Sequence, residues 1–124
     1  MTPPREDGTA PSGCLFCAIA EKRIPAGIVY EDDRAVAFRD IRPQAPVHVL
    51  IIPRRHISSL GDVREEDREL VGHLHRVANE IARRESIFRS GYRLVANCGP
   101  DAGQAVDHLH FHLLGGRPLG WPPG

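Results

Sequence analysis

Residues 107–116 read DHLHFHLLGG. A strand turns successive side chains to opposite faces, with a period of two residues. His108, His110 and His112 are therefore expected on one face, and Leu109, Phe111 and Leu113 on the other, turned into a core. The expected strand covers 105–114 and is closed by Gly115 and Gly116. Three imidazoles in a row crowd one another and need partners. A solvated histidine-rich face or a metal-binding tract would show the same alternation. The upstream residues argue for a site instead. Asn97, Gly99, Gly103 and Gln104 lead directly into the strand. Glycines let successive backbone N–H groups approach an anion, so this loop reads as a phosphate cradle. His48 lies in a second β-rich run, VHVLII at 47–52, after a proline-rich loop. Alone it would read as an ordinary strand histidine.

Working outward, Val47–Ile52 is a strand stopped by Pro53. Ile28–Glu31 and Ala35–Arg39 are short strands around the turn residues Asp32 and Asp33. Two prolines within four residues make 40–46 a loop. Tyr92–Ala96 is a further strand. Leu70, Val71, Leu74, Val77, Ala78, Ile81 and Ala82 recur at helical spacing, which predicts one long helix over Glu65–Glu85. Leu15–Lys22 suits a short helix, ended at Ile24 because the residue before Pro25 is pushed out of the helical region. Residues 1–12 are rich in Pro, Gly, Ser and Thr and read as a disordered tail before a single domain at 13–124. The links between strands are short, so the sheet should be mostly antiparallel and the class α+β.

The chain has 124 residues, with 16 basic and 16 acidic side chains. That balance gives no electrostatic footprint for nucleic acid or an anionic membrane. An anionic ligand must be held by a local site. No apolar run approaches the ~20 residues of a membrane span. The start MTPPREDGTAPSG has no apolar stretch of the secretory kind, so a cytoplasmic location is expected. Three cysteines do not make a disulfide framework.

Transfer of a nucleotidyl group needs an in-line nucleophile and neutralisation of the phosphate oxygens. A neutral imidazole is a good nucleophile near pH 7. The middle histidine, His110, has a neighbour on each side: one can fix its tautomer and the other can donate to phosphate. Attack on a phosphoramidate or anhydride would give a covalent nucleotidyl-histidine that water then hydrolyses.

The stretch GQAVDHLHFHLLGG resembles the signature of the histidine triad (HIT) superfamily. The segment IPAGIVYEDDRAVAFRDIRPQAPVHVLIIPRRHI and the ending WPPG are similar to its histidine triad nucleotide-binding branch. The resemblance covers about 14–124. It implies a five-stranded antiparallel sheet with one long helix, and a homodimer with a ten-stranded sheet. It implies hydrolysis of purine nucleoside 5′-phosphoramidates or acyl-nucleotides to the monophosphate, AMP or GMP. By position it places the nucleophile at His110, a phosphate-contacting histidine at His112 and the fourth histidine of the site at His48. Asn97, Gly103, Gln104, Ala105 and Val106 fall on the phosphate loop. Asp40 falls on the ribose-binding carboxylate. Leu15, Phe16, Ile19, Phe38 and Ile41 fall on the apolar base slot, although Ile19 and Ile41 also suit plain core packing. Trp121 falls in a segment that reaches the partner subunit's site. The family usually has Ser where this chain has Ala105, a hydroxyl thought to help protonate a leaving amine. Its loss bears on the phosphoramidase rate more than on nucleotide binding.

Cys14 and Cys17 have the C-x-x-C spacing of half a tetrahedral zinc site, and His56 and His108 are the best candidates for the other half. Such zinc would be structural, and His108 would buttress His110. A redox role is the alternative reading of this pair, and it lacks a βαβ context. Cys98 reads as an ordinary loop cysteine, His73 and His75 as incidental, and Asp107 as facing away from the triad. Dinucleoside polyphosphate hydrolysis and nucleotide binding with little catalysis are the alternative functions.

Overall fold

A computed structural model describes residues 13–124, so the expected tail at 1–12 lies outside the described residues. The elements are α1 (Leu15–Ala20), β1 (Ile28–Glu31), β2 (Ala35–Arg39), β3 (Val47–Pro53), α2 (Arg68–Arg84), β4 (Tyr92–Val95) and β5 (Phe111–Gly115). They form an α+β domain with a five-stranded sheet in the order β1-β2-β3-β5-β4. Every pairing is antiparallel. No helix among the described residues is long and apolar enough to cross a membrane.

The two faces of the sheet carry different layers. Ala35, Ala37, Val49, Ile51, Phe111 and Leu113 turn toward α2 and pack with Leu74, Val77, Ala78 and Ile81. The alternate residues Val36, Phe38, Leu50 and Ile52 pack with Phe16 and Ile19 of α1. His48 and His112 share the parity of this second set, which places the site on the α1 face. With only six residues, α1 would not persist alone. Burial of Phe16, Cys17, Ala18, Ile19 and Ala20 holds it. Phe16 and Ile19 together contribute about 3–6 kcal/mol as an upper figure.

Three boundaries shift by two residues or more from the sequence expectation, each for a local reason. Helix α1 stops at Ala20 because Lys22 takes a left-handed φ of 60° and the Arg54 guanidinium donates to the Ala20 carbonyl at 2.8 Å. The first turn of the expected long helix is a 3-10 turn at Glu65–Asp67, where the buried Asp67 carboxylate accepts the Arg64 N–H at 2.8 Å and pairs with Arg55. The last strand begins at Phe111 and not at 105. Its ladder with β3 ends at the pair Ile51–Phe111. Beyond that, β3 reaches Pro53, which has no N–H to offer, and the Leu109 N–H bonds the Ile57 carbonyl at 2.6 Å. His108 and His110 therefore precede the strand, yet the expected alternation of faces survives.

Candidate functional site

The three triad histidines have three different surroundings. His108 is fully buried, His110 is 6% exposed and His112 is half-buried. His110 and His112 open into a pocket of about 350 Å³. Phe16, Ile19, Phe38 and Leu50 form its apolar wall, with Leu15 and Ile41 at the rim. Leu15 is 45% and Ile41 94% exposed, so Ile41 is not core packing. Asp40, Ala105 and Val106 complete the end beside the histidines. Phe16 stands edge-on to Phe38 at 5.4 Å and to His110 at 5.2 Å between ring centres.

Hydrogen bonds set the tautomers. The Nδ1–H of His110 donates to the carbonyl of His108 at 2.7 Å. Its Nε2 therefore carries the lone pair. The backbone N–H of Gln44 donates to Nδ1 of His48 at 3.0 Å. His48 then bears its proton on Nε2 and donates to Nδ1 of His112 at 2.9 Å. This leaves an N–H on Nε2 of His112. The Asp40 carboxylate lies 3.4 Å from Nε2 of His48. A metal could in principle be held by Asp40, His48 and His112. The Gln44 hydrogen bond argues against it, because it commits the His48 Nε2 to a proton. Gln44, His48 and His112 thus form a donor relay ending in an N–H on the pocket side, beside the ring of His110. Burial, then the neighbouring His110 and His48, push His112 down to about 4. Burial likewise lowers His48, opposed by Asp40.

Those shifts have a consequence for stability. Both histidines take up protons in the unfolded chain near pH 6.5 but resist them when folded. Their contribution is complete above that pH and is lost as pH falls toward about 4. Urea midpoints measured from pH 7.5 to 4.5 should decline, with a shallower slope for His112→Gln. Equal slopes would show that His112 is not held neutral by the fold.

The loop before the triad turns at Gly99 and Gly103, with φ of 87° and 82°, a region that favours glycine. Gln104 holds it together: its Oε1 accepts the Gly99 N–H at 3.0 Å, and its Nε2 donates to the Ser58 carbonyl at 2.8 Å and the Val106 carbonyl at 3.0 Å. The side chain of Gln104 is thus committed within the protein. Asn97, Gly103, Gln104 and Trp121 do not line the pocket of their own chain, and Trp121 is 83% exposed. The far pocket wall, Ile24 to Gly27, went unnoticed in sequence, where Ile24 and Pro25 read only as a helix stop. Leu50 was legible, since it shares strand parity with His48.

Behind the pocket, the donor atoms of Cys14, Cys17, His56 and His108 lie within 4.8 Å of one another and could hold a metal ion. The Cys17 sulfur is 3.3 Å from Nδ1 of His56 and 3.4 Å from Nδ1 of His108. The Cys14 sulfur is 3.4 Å from Nδ1 of His108. The Nε2 of His108 donates to the Pro53 carbonyl at 2.9 Å, which leaves its Nδ1 lone pair facing the sulfurs. Burial, and then Cys14, push the Cys17 thiol up to about 12. Cys98 is exposed and apart from this cluster. His73, read as incidental, bonds the Asp32 carboxylate at 2.6 Å and ties α2 to the β1–β2 turn.

An antiparallel α+β domain with three spaced histidines at one end of a sheet, an apolar pocket and a glycine loop defines a class. The chain belongs to the histidine triad (HIT) family. Residues 13–118 match the family model described as scavenger mRNA decapping enzyme C-terminal binding. A HIT-like protein of Synechococcus elongatus is 53% identical over 110 residues, covering 89% of this chain and 96% of that one. A HIT family hydrolase from Legionella pneumophila superposes with a TM-score of 0.89 at 52% identity, covering 90% of this chain and 100% of that chain. A histidine triad nucleotide-binding protein from Candida albicans gives 0.70 at 31% identity, covering 89% and 83%.

Proposed function

We propose that this protein is a nucleotide-binding hydrolase that releases a purine nucleoside monophosphate from a 5′-phosphoramidate or acyl-nucleotide. The observation that carries the reading is the pair of fixed tautomers: a lone pair on Nε2 of His110 beside an N–H on Nε2 of His112, at the mouth of an apolar slot. The base would lie against Phe16, Phe38 and Ile41, with Asp40 at the ribose hydroxyls. His110 Nε2 attacks phosphorus, and the bond to the leaving group breaks with its electron pair going to that group. His112 donates to a phosphate oxygen, and His48 holds its ring. Water then attacks phosphorus and gives up a proton to solvent, while the P–N bond to His110 breaks with its electron pair returning to Nε2, which restores the neutral imidazole. The Legionella neighbour is a HIT family hydrolase and the Candida neighbour a histidine triad nucleotide-binding protein, which supports this reading.

The leaving group decides the rate. A carboxylate departs as a stable anion, whereas an amine needs a proton. Ala105, beside His110 and His112, offers none. Hydrolysis of a fluorogenic adenosine 5′-phosphoramidate should therefore rise in Ala105→Ser by about 10-fold, below the ~10²–10⁴ of a full general acid. A wild type that binds AMP yet turns over neither phosphoramidate nor acyl-adenylate, with no gain in Ala105→Ser, would favour a binding protein instead.

The Cys/His cluster fits structural zinc. Zinc–sulfur bonds of ~2.3 Å and zinc–nitrogen bonds of ~2.0 Å at a tetrahedral angle separate S and N by about 3.5 Å. The sulfur–nitrogen distances of 3.3 and 3.4 Å match. With four protein ligands the ion would have no open position, so its contribution is to hold the fold. A homodimer in the cytoplasm completes the reading, with the exposed Trp121 covered by the second copy. A sedimentation mass of a single chain would remove that part.

A further inference from the structure

We infer that the Cys14–Cys17–His56–His108 centre and the nucleotide pocket are energetically coupled, so that zinc and a nucleotide each tighten the binding of the other. The inference rests on the nucleotide reading above for one of its two sites. Two shared parts join them. The first is α1: Cys14 and Cys17 supply sulfur to the metal centre, while Leu15, Phe16 and Ile19, interleaved with them, line the pocket. Six residues cannot hold a helix unaided, so any loosening at the sulfurs reaches the base wall within one turn. The Phe16 ring makes the link direct. It stands edge-on both to His108, at 6.0 Å, and to His110, at 5.2 Å.

The second shared part is His108. Its Nδ1 faces the sulfurs, its Nε2 is tied to the Pro53 carbonyl, and its own carbonyl accepts the Nδ1–H of His110 at 2.7 Å. The group that fixes the nucleophile's tautomer thus belongs to a metal-facing residue. His108 is a positioning residue that acts through His110. With zinc bound, ring and carbonyl are pinned together. Without it, the buried donors of Cys17, His56 and His108 and the half-buried donor of Cys14 face one another unbridged. Linkage makes the effect reciprocal: whatever factor zinc adds to nucleotide affinity, nucleotide adds to zinc affinity.

The test uses the full chain in a Cys98→Ser background, which removes the exposed third thiol. AMP affinity of the zinc-loaded protein is measured first by calorimetry. No binding there refutes the nucleotide reading and, with it, the coupling. Given binding, the chelator-treated protein, its fold checked by circular dichroism, should bind AMP at least about 5-fold more weakly, the low end of typical couplings. A smaller change overturns the inference. If removal of zinc unfolds the chain, the rate of zinc transfer to a chromogenic chelator is read with and without AMP. AMP should slow transfer in the wild type and slow it less in Phe16→Leu. Equal slowing in both would mean general stabilisation only, which also overturns the inference. A nucleotide-free readout accompanies these: ¹⁵N spectra should show the Nδ1–H tautomer of His110 in the loaded protein and its loss without zinc. An unchanged tautomer overturns the His108 link.

Discussion

Replacing His110 with Ala is expected to lower turnover of an adenosine 5′-phosphoramidate by about 10³-fold or more while AMP affinity changes by only a few fold. The split follows from what the ring does. On the proposed reading the base is held by the apolar slot, in which His110 is one wall among many. The phosphate would be met by the His112 end of the relay, which reaches His48 and Gln44 without passing through His110. Only bond making at phosphorus needs the Nε2 lone pair. A covalent nucleotidyl-enzyme should be trapped on the wild type by acid quench and be missing from His110→Ala. His112→Gln keeps a hydrogen-bond donor near the phosphate and should lose less turnover than His110→Ala. If His112→Gln were the more damaged of the two, with His110→Ala still forming the covalent species, the nucleophile would have to be reassigned.

How much of this was legible in the sequence depends on the range of the interaction. The alternation at 108–113 placed His110 and His112 on one face and Leu109, Phe111 and Leu113 in the core, and the structure agrees. Parity is a local property of the chain. The start of that strand was misjudged because it is set by Pro53 and Ile57, which lie on another segment. The relay was invisible for the same reason: the His48 tautomer depends on a backbone N–H at Gln44, and the His110 tautomer on a carbonyl that every residue carries. Side-chain identity reveals donors and ligands but not which backbone group will meet them. The Cys/His cluster was readable because Cys14 and Cys17 have ligand spacing, with His56 after a strand end and His108, first of the three spaced histidines, as the candidates for the other half, and the four donor atoms do lie within 4.8 Å of one another. The exposed rim residue Ile41 was ambiguous, since an isoleucine after a strand serves a core or a pocket equally well.

Cys17→Ser should lower the thermal midpoint by on the order of 10–20 °C, whereas Cys98→Ser should shift it by about 2 °C or less. The contrast rests on place, not residue type: Cys17 is 2% exposed in the metal-facing cluster and Cys98 is exposed elsewhere. Structural zinc contributes ~10–16 kcal/mol in peptides that have no other core. Here the sheet, α1 and α2 carry their own core, so the loss is put at about 3–5 kcal/mol. A buried hydroxyl in place of sulfur would itself destabilise, so the midpoint alone does not separate packing from metal. A cycle does. Chelator added to the wild type should reproduce most of the fall, and chelator added to Cys17→Ser should add little, because the two changes remove the same interaction. Additive effects would mean that the serine acts through packing and that the metal, if bound, sits elsewhere. The buried Cys17 thiol gives the experiment a second handle. Burial opposes its thiolate, pushing it up to about 12, so a bound cation must supply the charge that keeps sulfur deprotonated. Zinc uptake at neutral pH should then release protons into a weakly buffered solution, and Cys17→Ser should release fewer.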